Sequence, residues 1–158
     1  MKQFFIPIAL ILFYHHSAEA QQILDKLRDE LPKTVEGLEL ANTPEIYGNG
    51  SDANLVANYN DDVDTYLNCT FTVYSDDIFN RLKKDLANAP KSFENDEMKI
   101  MALALNKRQG QVTFQKQDGK FEGSVLDEPN SMLITFTGAG ITDKQKIKDI
   151  LEKILSVL

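Results

Sequence analysis

The sequence predicts an α+β domain, a mainly antiparallel β-sheet packed by an N-terminal, a central and a long C-terminal helix. Three observations carry that prediction. Ile147, Ile150, Leu151, Ile154, Leu155 and Leu158 form an apolar stripe at helical spacing, as a core-facing helix requires. Tyr66 to Tyr74 alternates: Leu67, Cys69, Phe71 and Val73 fall on one side, Tyr66, Asn68, Thr70, Thr72 and Tyr74 on the other, the pattern of a half-buried strand. From Met98 to Thr137 four strand-like runs follow one another with turn residues between them, and the 158-residue chain shows no second core.

The elements follow in order. Met1-Lys2-Gln3 is a short basic start, and Phe4 to Tyr14 is apolar. His15-His16-Ser17-Ala18-Glu19-Ala20 then ends in the A-x-A pattern of a signal-peptide cleavage site. The apolar run spans only about 16 Å as a helix, about half of a hydrocarbon core, which favours a leader over an anchor. No cysteine follows it to carry a lipid. Residues 1–20 are therefore read as a cleaved signal peptide and 21–158 as a single soluble α+β domain, exported to the periplasm or secreted, with no transmembrane segment in the mature chain.

Ile23, Leu24, Leu27 and Leu31 place a short helix over Gln22–Leu31, stopped before Pro32. Val35 to Leu40 is expected as one strand, Asn42 to Asn54 as a loop rich in Asn, Gly, Ser and Asp, and Leu55 to Tyr59 as a strand. After the Asn60–Asp64 turn and the alternating strand, Ser75-Asp76-Asp77 offers a cap to a helix marked by Ile78, Phe79, Leu82 and Leu86 and ending near Ala89-Pro90. Lys91 to Glu97 reads as a polar link. Met98–Leu105, Gln111–Lys116, Phe121–Leu126 and Ser131–Thr137 read as strands, with Asp118-Gly119 as the hairpin signal between the middle two. Gly138-Ala139-Gly140 is expected to break the last strand, and Thr142 with Gln145 to form a capping box on the closing helix.

Charge and residue counts narrow the chemistry. Lys and Arg number 17 against 24 Asp and Glu, a net charge of -7, and the leader's Lys2 and Glu19 cancel, so the mature balance is the same. Such a chain repels phosphate backbones, and no basic stripe interleaved with aromatics offsets this. Nucleic acid is excluded as a partner, and anionic lipid surfaces are disfavoured. The two histidines, His15 and His16, both lie in the leader. Their removal takes away Ser-His-Asp and Cys-His catalysis and His-ligated zinc. A single cysteine excludes an intramolecular disulfide. No P-loop, G-x-S-x-G or S-x-x-K pattern occurs, and Gly138-Ala139-Gly140 lacks the third glycine of a dinucleotide loop because Asp143 stands there. No cofactor is expected.

Leu31-Pro32-Lys33-Thr34-Val35-Glu36-Gly37, near the start, and Met132-Leu133-Ile134-Thr135-Phe136-Thr137-Gly138, in the closing strand, sit in an element order that resembles small exported bacterial proteins of unknown function. Their architecture is similar to the PsbP/Mog1 type of α-β-α sandwich. The resemblance implies a fold and an envelope location and carries no catalytic residues. This chain has Asn49-Gly50-Ser51-Asp52 where such proteins have a Met/Gly-rich early loop.

Several residues invite a chemical reading. Cys69, on the apolar side of its strand, reads as a small buried hydrophobe. The acidic turn offers hard oxygens from Asn60, Asp62 and Asp64 to calcium, although Phe71 stands where an EF-hand's bidentate Glu would fall; a solvated turn is the simpler reading. Many acids are present, but none has the setting of a glycosidase pair, and there is no Trp to stack on a sugar. The lysines of the closing helix, Lys144, Lys146, Lys148 and Lys153, allow a membrane-surface helix as an alternative to a core helix. Asn49-Gly50-Ser51 and Asn68-Cys69-Thr70 are glycosylation sequons, meaningful only in a eukaryotic secretory pathway.

Thr70, Thr72, Thr113, Thr135 and Thr137 share the polar side of the predicted sheet. The candidate binding residues are Tyr66, Thr70, Thr72 and Tyr74, with Asn49, Asp52 and Asn54 as a loop rim. The function expected is that of an exported, non-enzymatic binding or accessory protein of the envelope, with an envelope protein, small molecule or lipid as its ligand. A hydrolase or transferase using carboxylates or Lys, and a structural envelope protein, are the alternatives.

Overall fold

The computed structural model describes residues 8–48, 53–61 and 63–158, and among these it shows three α-helices and ten strands of one sheet. The first helix, α1 (Ile8–Glu30), starts inside the predicted leader, well before Gln22. It stops before Pro32, which lacks an N–H and steers its predecessor out of the helical region. Ala20, Leu24 and Leu27 recur on one side and are buried, so this stripe enters the core.

The expected single strand at Val35–Leu40 is a hairpin: β1 (Thr34–Val35) and β2 (Leu38–Leu40) flank Glu36 and Gly37, at φ of 47° and 87°. The glycine permits the second of these left-handed positions, and Glu36 hides the turn from a sequence reading. The expected loop Asn42–Asn54 contains β3 (Glu45–Tyr47), paired with β4 (Asn54–Asn60). Three residues are too few for alternation to show. β5 (Tyr66–Val73) alternates as predicted, with Leu67, Cys69, Phe71 and Val73 buried.

α2 (Asp76–Asn88) follows Ser75, whose side chain makes no capping bond. Asp76 and Asp77 sit instead at the positive end of the helix dipole. The expected link Lys91–Glu97 carries β6 (Ser92–Glu94), and then β7 (Met98–Leu105) and β8 (Arg108–Gln115) follow. β8 begins at Arg108 rather than Gln111 because Lys107 itself takes a φ of 57° in a tight turn without glycine. After the Asp118-Gly119 turn come β9 (Lys120–Asp127), a 3-10 turn at Glu128–Asn130, and β10 (Met132–Ala139). Gly138 continues the strand, paired with Leu67 and Phe121, so the predicted break there is corrected.

The closing helix is α3 (Lys144–Ile154), extended by a 3-10 turn at Leu155–Val157. Its cap is Asp143, whose carboxylate accepts the Gln145 N–H at 2.9 Å, in place of the expected Thr142 box. The Gln145 amide donates forward to Asp149 at 2.7 Å and so does not reach back. Ile147, Ile150, Leu151 and Ile154 are buried, so the stripe faces the core and not a membrane surface.

All pairings are antiparallel, in the order β1-β2-β4-β5-β10-β9-β8-β7-β6, with β3 also on β4. This order dictates where α2 lies. The chain leaves β5 near the middle and must reach the far edge to form β6, and α2 makes that crossing over the intervening strands. The meander then returns and inserts β10 between β9 and β5. α1 packs on β3, β4 and β5, and α3 on β7 and β1, closing the core over Leu55, Phe71, Phe121, Ile134 and Phe136. α2 takes the opposite face.

Two features lock the core. Gly123 faces Phe136 and Gly138 faces Phe121 across β9–β10; a Cβ on either glycine would come within 2.3–2.4 Å of the opposing ring. The two rings then meet at 6.4 Å between centroids, tilted by 50°. At the far end of the β8–β9 pair the carboxylate of Asp127, with no exposed surface, accepts hydrogen bonds from Arg108 and from the Asn130 amide. Arg108 also donates to the Leu155 carbonyl at 3.3 Å, which ties the sheet to the end of α3.

Candidate functional site

The sheet face turned away from α1 and α3 carries the polar residues of the alternating strands. Register sets Tyr66, Asn68, Thr70 and Thr72 of β5 against Ala139, Thr137, Thr135 and Leu133 of β10. The rows continue through Glu122, Ser124 and Leu126 of β9 to Thr113, Gln111 and Gln109 of β8. On the other side they continue to Asn60, Asn58, Val56 and Asn54 of β4. One end of this surface, at Leu126 and Leu133, is apolar, and there α2 settles with Leu82 and Leu86. Phe79, on the same helical stripe, is buried.

Between α2 and strands β8, β9 and β10 lies a cleft of about 550 Å³. Its apolar wall is Leu82, Leu86, Leu126 and Leu133; its floor is Thr113, Ser124, Thr135 and Thr137 with Gln111. Asp85 of α2 and Glu122 of β9 are the charged residues of the lining; both are exposed, and neither carboxylate has a hydrogen bond or ion pair among the described residues. Glu122 projects between Thr113 and Thr137, its neighbours across the two adjacent strands. A wider depression, about 660 Å³, lies beside Lys107, Arg108 and Glu128, but its guanidinium is committed to Asp127.

The structure brings Tyr66, Thr70 and Thr72 together on this face, next to the cleft rather than in it. The Thr72 hydroxyl donates to the side-chain carbonyl of Asn54, its cross-strand partner, so these two hold each other. Tyr74 lies just past the end of β5, where its backbone N–H donates to the Ser131 carbonyl at 2.9 Å. Asn49 and Asp52 fall outside the described residues, as does Asp62 of the acidic turn.

In that turn the Asp61 carboxylate accepts the backbone N–H groups of Thr65 at 2.9 Å and Val63 at 3.0 Å, and these bonds hold its pKa below the usual carboxylate range. Asn60 ends β4 opposite Tyr66, and Asp64 is exposed. Among the described residues no group of three or more His, Cys, Asp or Glu side chains is placed to hold a metal ion. Burial pushes the Cys69 thiol up to about 12, so it stays protonated at neutral pH and out of reach of reagents.

Thr113, Thr135 and Thr137 of the cleft were legible in the sequence as members of the polar face. Gln111, Glu122, Ser124 and the inner side of α2 were not singled out. Their signal, the alternation of Lys120, Glu122 and Ser124 with Phe121, Gly123 and Val125, was present, but only the strand order brings α2 above them. No family model, curated protein or solved structure matches the chain. No helix among the described residues is long and apolar enough to cross a membrane.

Proposed function

We propose that the chain is an exported, soluble, non-enzymatic binding or accessory protein of the cell envelope, with residues 1–20 removed as a leader, and that it takes its ligand on the sheet face roofed by α2. The carrying observation is the cleft itself. A concave site of about 550 Å³ with one apolar wall and a floor of hydroxyls is of the size and make-up that small-molecule sites show, about 300–1,000 Å³. Threonine and serine hydroxyls on rigid strands offer orientation and hydrogen bonds at low conformational cost, which suits recognition. Helices on both faces of the sheet support the PsbP/Mog1 type of sandwich as the finer architecture.

The test uses tagged full-length chain in its native host, with mild crosslinking before fractionation. The expected product starts at Gln21, sits in the envelope fraction and brings down one stoichiometric ligand or partner. The variant Thr135→Arg/Thr137→Arg, at exposed positions that Arg side chains would crowd, should lose that companion while folding normally. An intact leader on cytoplasmic protein, or unchanged recovery by the variant, refutes the reading.

A further inference from the structure

We propose that the cleft under α2 selects a small organic cation with an aliphatic body, a primary alkylammonium being the simplest example. The inference rests on the binding reading above and adds the ligand's chemistry. Three observations converge on it. The wall formed by Leu82, Leu86, Leu126 and Leu133 gives an aliphatic chain somewhere dry to lie. The charged groups of the lining, Asp85 and Glu122, are both carboxylates, and both lack a partner among the described residues. The cations of α2 stay out of the lining: Lys83 pairs with Glu128 at 2.7 Å, and Arg81 and Lys84 are exposed and border a separate depression with Asp77 and Asn80.

An ammonium has three N–H donors and no acceptor. Glu122 together with the Thr113 and Thr137 hydroxyls on either side of it offers acceptors to such a head group, while a carboxylate or phosphate head would meet like charge. The cleft's volume fits one small molecule and so argues for a free ligand over a folded partner.

The experiment titrates isotope-labelled full-length protein with octylammonium chloride, 1-octanol and sodium octanoate, reading backbone amide shifts. Octylammonium should give saturable shifts grouped on Thr113, Glu122, Thr135, Thr137 and the inner side of α2. It should bind about tenfold tighter than octanol, with octanoate weaker still. Asp85→Asn/Glu122→Gln should reduce octylammonium to the octanol level, whereas Asp96→Asn/Glu97→Gln, an equal charge change at exposed sites outside the cleft, should leave the preference intact.

Cleft shifts with all three probes at equal affinity would overturn the cation selectivity and leave the binding site standing. Equal weakening by both double variants would reduce the effect to the net charge of -7 and also overturn it. Shifts that avoid the cleft, or none with any probe, would refute the selectivity and the cleft as a ligand site together.

Discussion

Replacing the buried Asp127 with alanine takes away the acceptor of two half-buried donors at once. Surface ion pairs contribute about 0–1 kcal/mol, but Asp127 has no exposed surface and the Arg108 side chain is only 14% exposed, so that range does not apply. After the substitution the guanidinium keeps one acceptor, the Leu155 carbonyl at 3.3 Å, and the Asn130 amide loses its carboxylate partner. Breaking one side of a buried pair costs about 3–5 kcal/mol. At about 2–4 °C per kcal/mol for a domain of this size, Tm should fall by about 6–20 °C. Arg108→Met/Asp127→Leu removes both desolvated charges and should return to within about 2 kcal/mol of the parent. Urea unfolding followed by far-UV circular dichroism measures the parent, Asp127→Ala and the double variant, and an unchanged m-value certifies the comparison. A loss below about 1 kcal/mol for Asp127→Ala would refute the reasoning, as would a double variant no more stable than Asp127→Ala.

Gly123→Ala puts a Cβ 2.3 Å from both the Gln111 carbonyl oxygen and Phe136 Cζ. It should cost about 3 kcal/mol, the upper part of the overpacking range, because backbone as well as ring must yield. Gly119→Ala, where a Cβ would meet nothing within 4 Å but φ is +67°, should cost only about 1 kcal/mol; comparable urea midpoints for the two would contradict the packing account. Cys69 should resist alkylation at pH 8 until the protein unfolds, as labelling with and without urea will show. Its native thiol is raised from 9.0 to about 12, so the folded state holds the proton longer. This contribution to stability is fully present below pH 9 and is lost as the pH climbs toward 12. A Cys69→Ala variant should lack that part of the alkaline slope.

The strongly periodic elements were legible from the residues. The α3 stripe and the alternation of Leu67, Cys69, Phe71 and Val73 each bury one complete face, and period follows directly from burial. Short edge pieces were not: β1, β3 and β6 are two or three residues long, held by register with β2, β4 and β7 rather than by any pattern of their own. The turns at Glu36 and Lys107 escaped because non-glycine residues occupy left-handed positions that the neighbouring strand pairs impose. Gly138 misled in the opposite direction: it looked like a breaker and is a strand residue kept small for Phe121. The cleft shares this non-local character. Thr135 and Thr137 announce a polar face, but nothing local says that α2 crosses above them, since that follows from β6 lying at the far edge.

α1 passes through Ala18–Ala20 without interruption, and Ala20 keeps only 1% of its surface. A protease cutting after Ala20 needs loosened, accessible backbone, and a helical segment packed on the core supplies it only by opening. Loss of the proposed leader is therefore a race. Under that proposal the cut would be easy while the emerging chain is still loose and slow once Leu24 and Leu27 have docked. A molecule that docked first would keep residues 8–20 as the opening turns of α1.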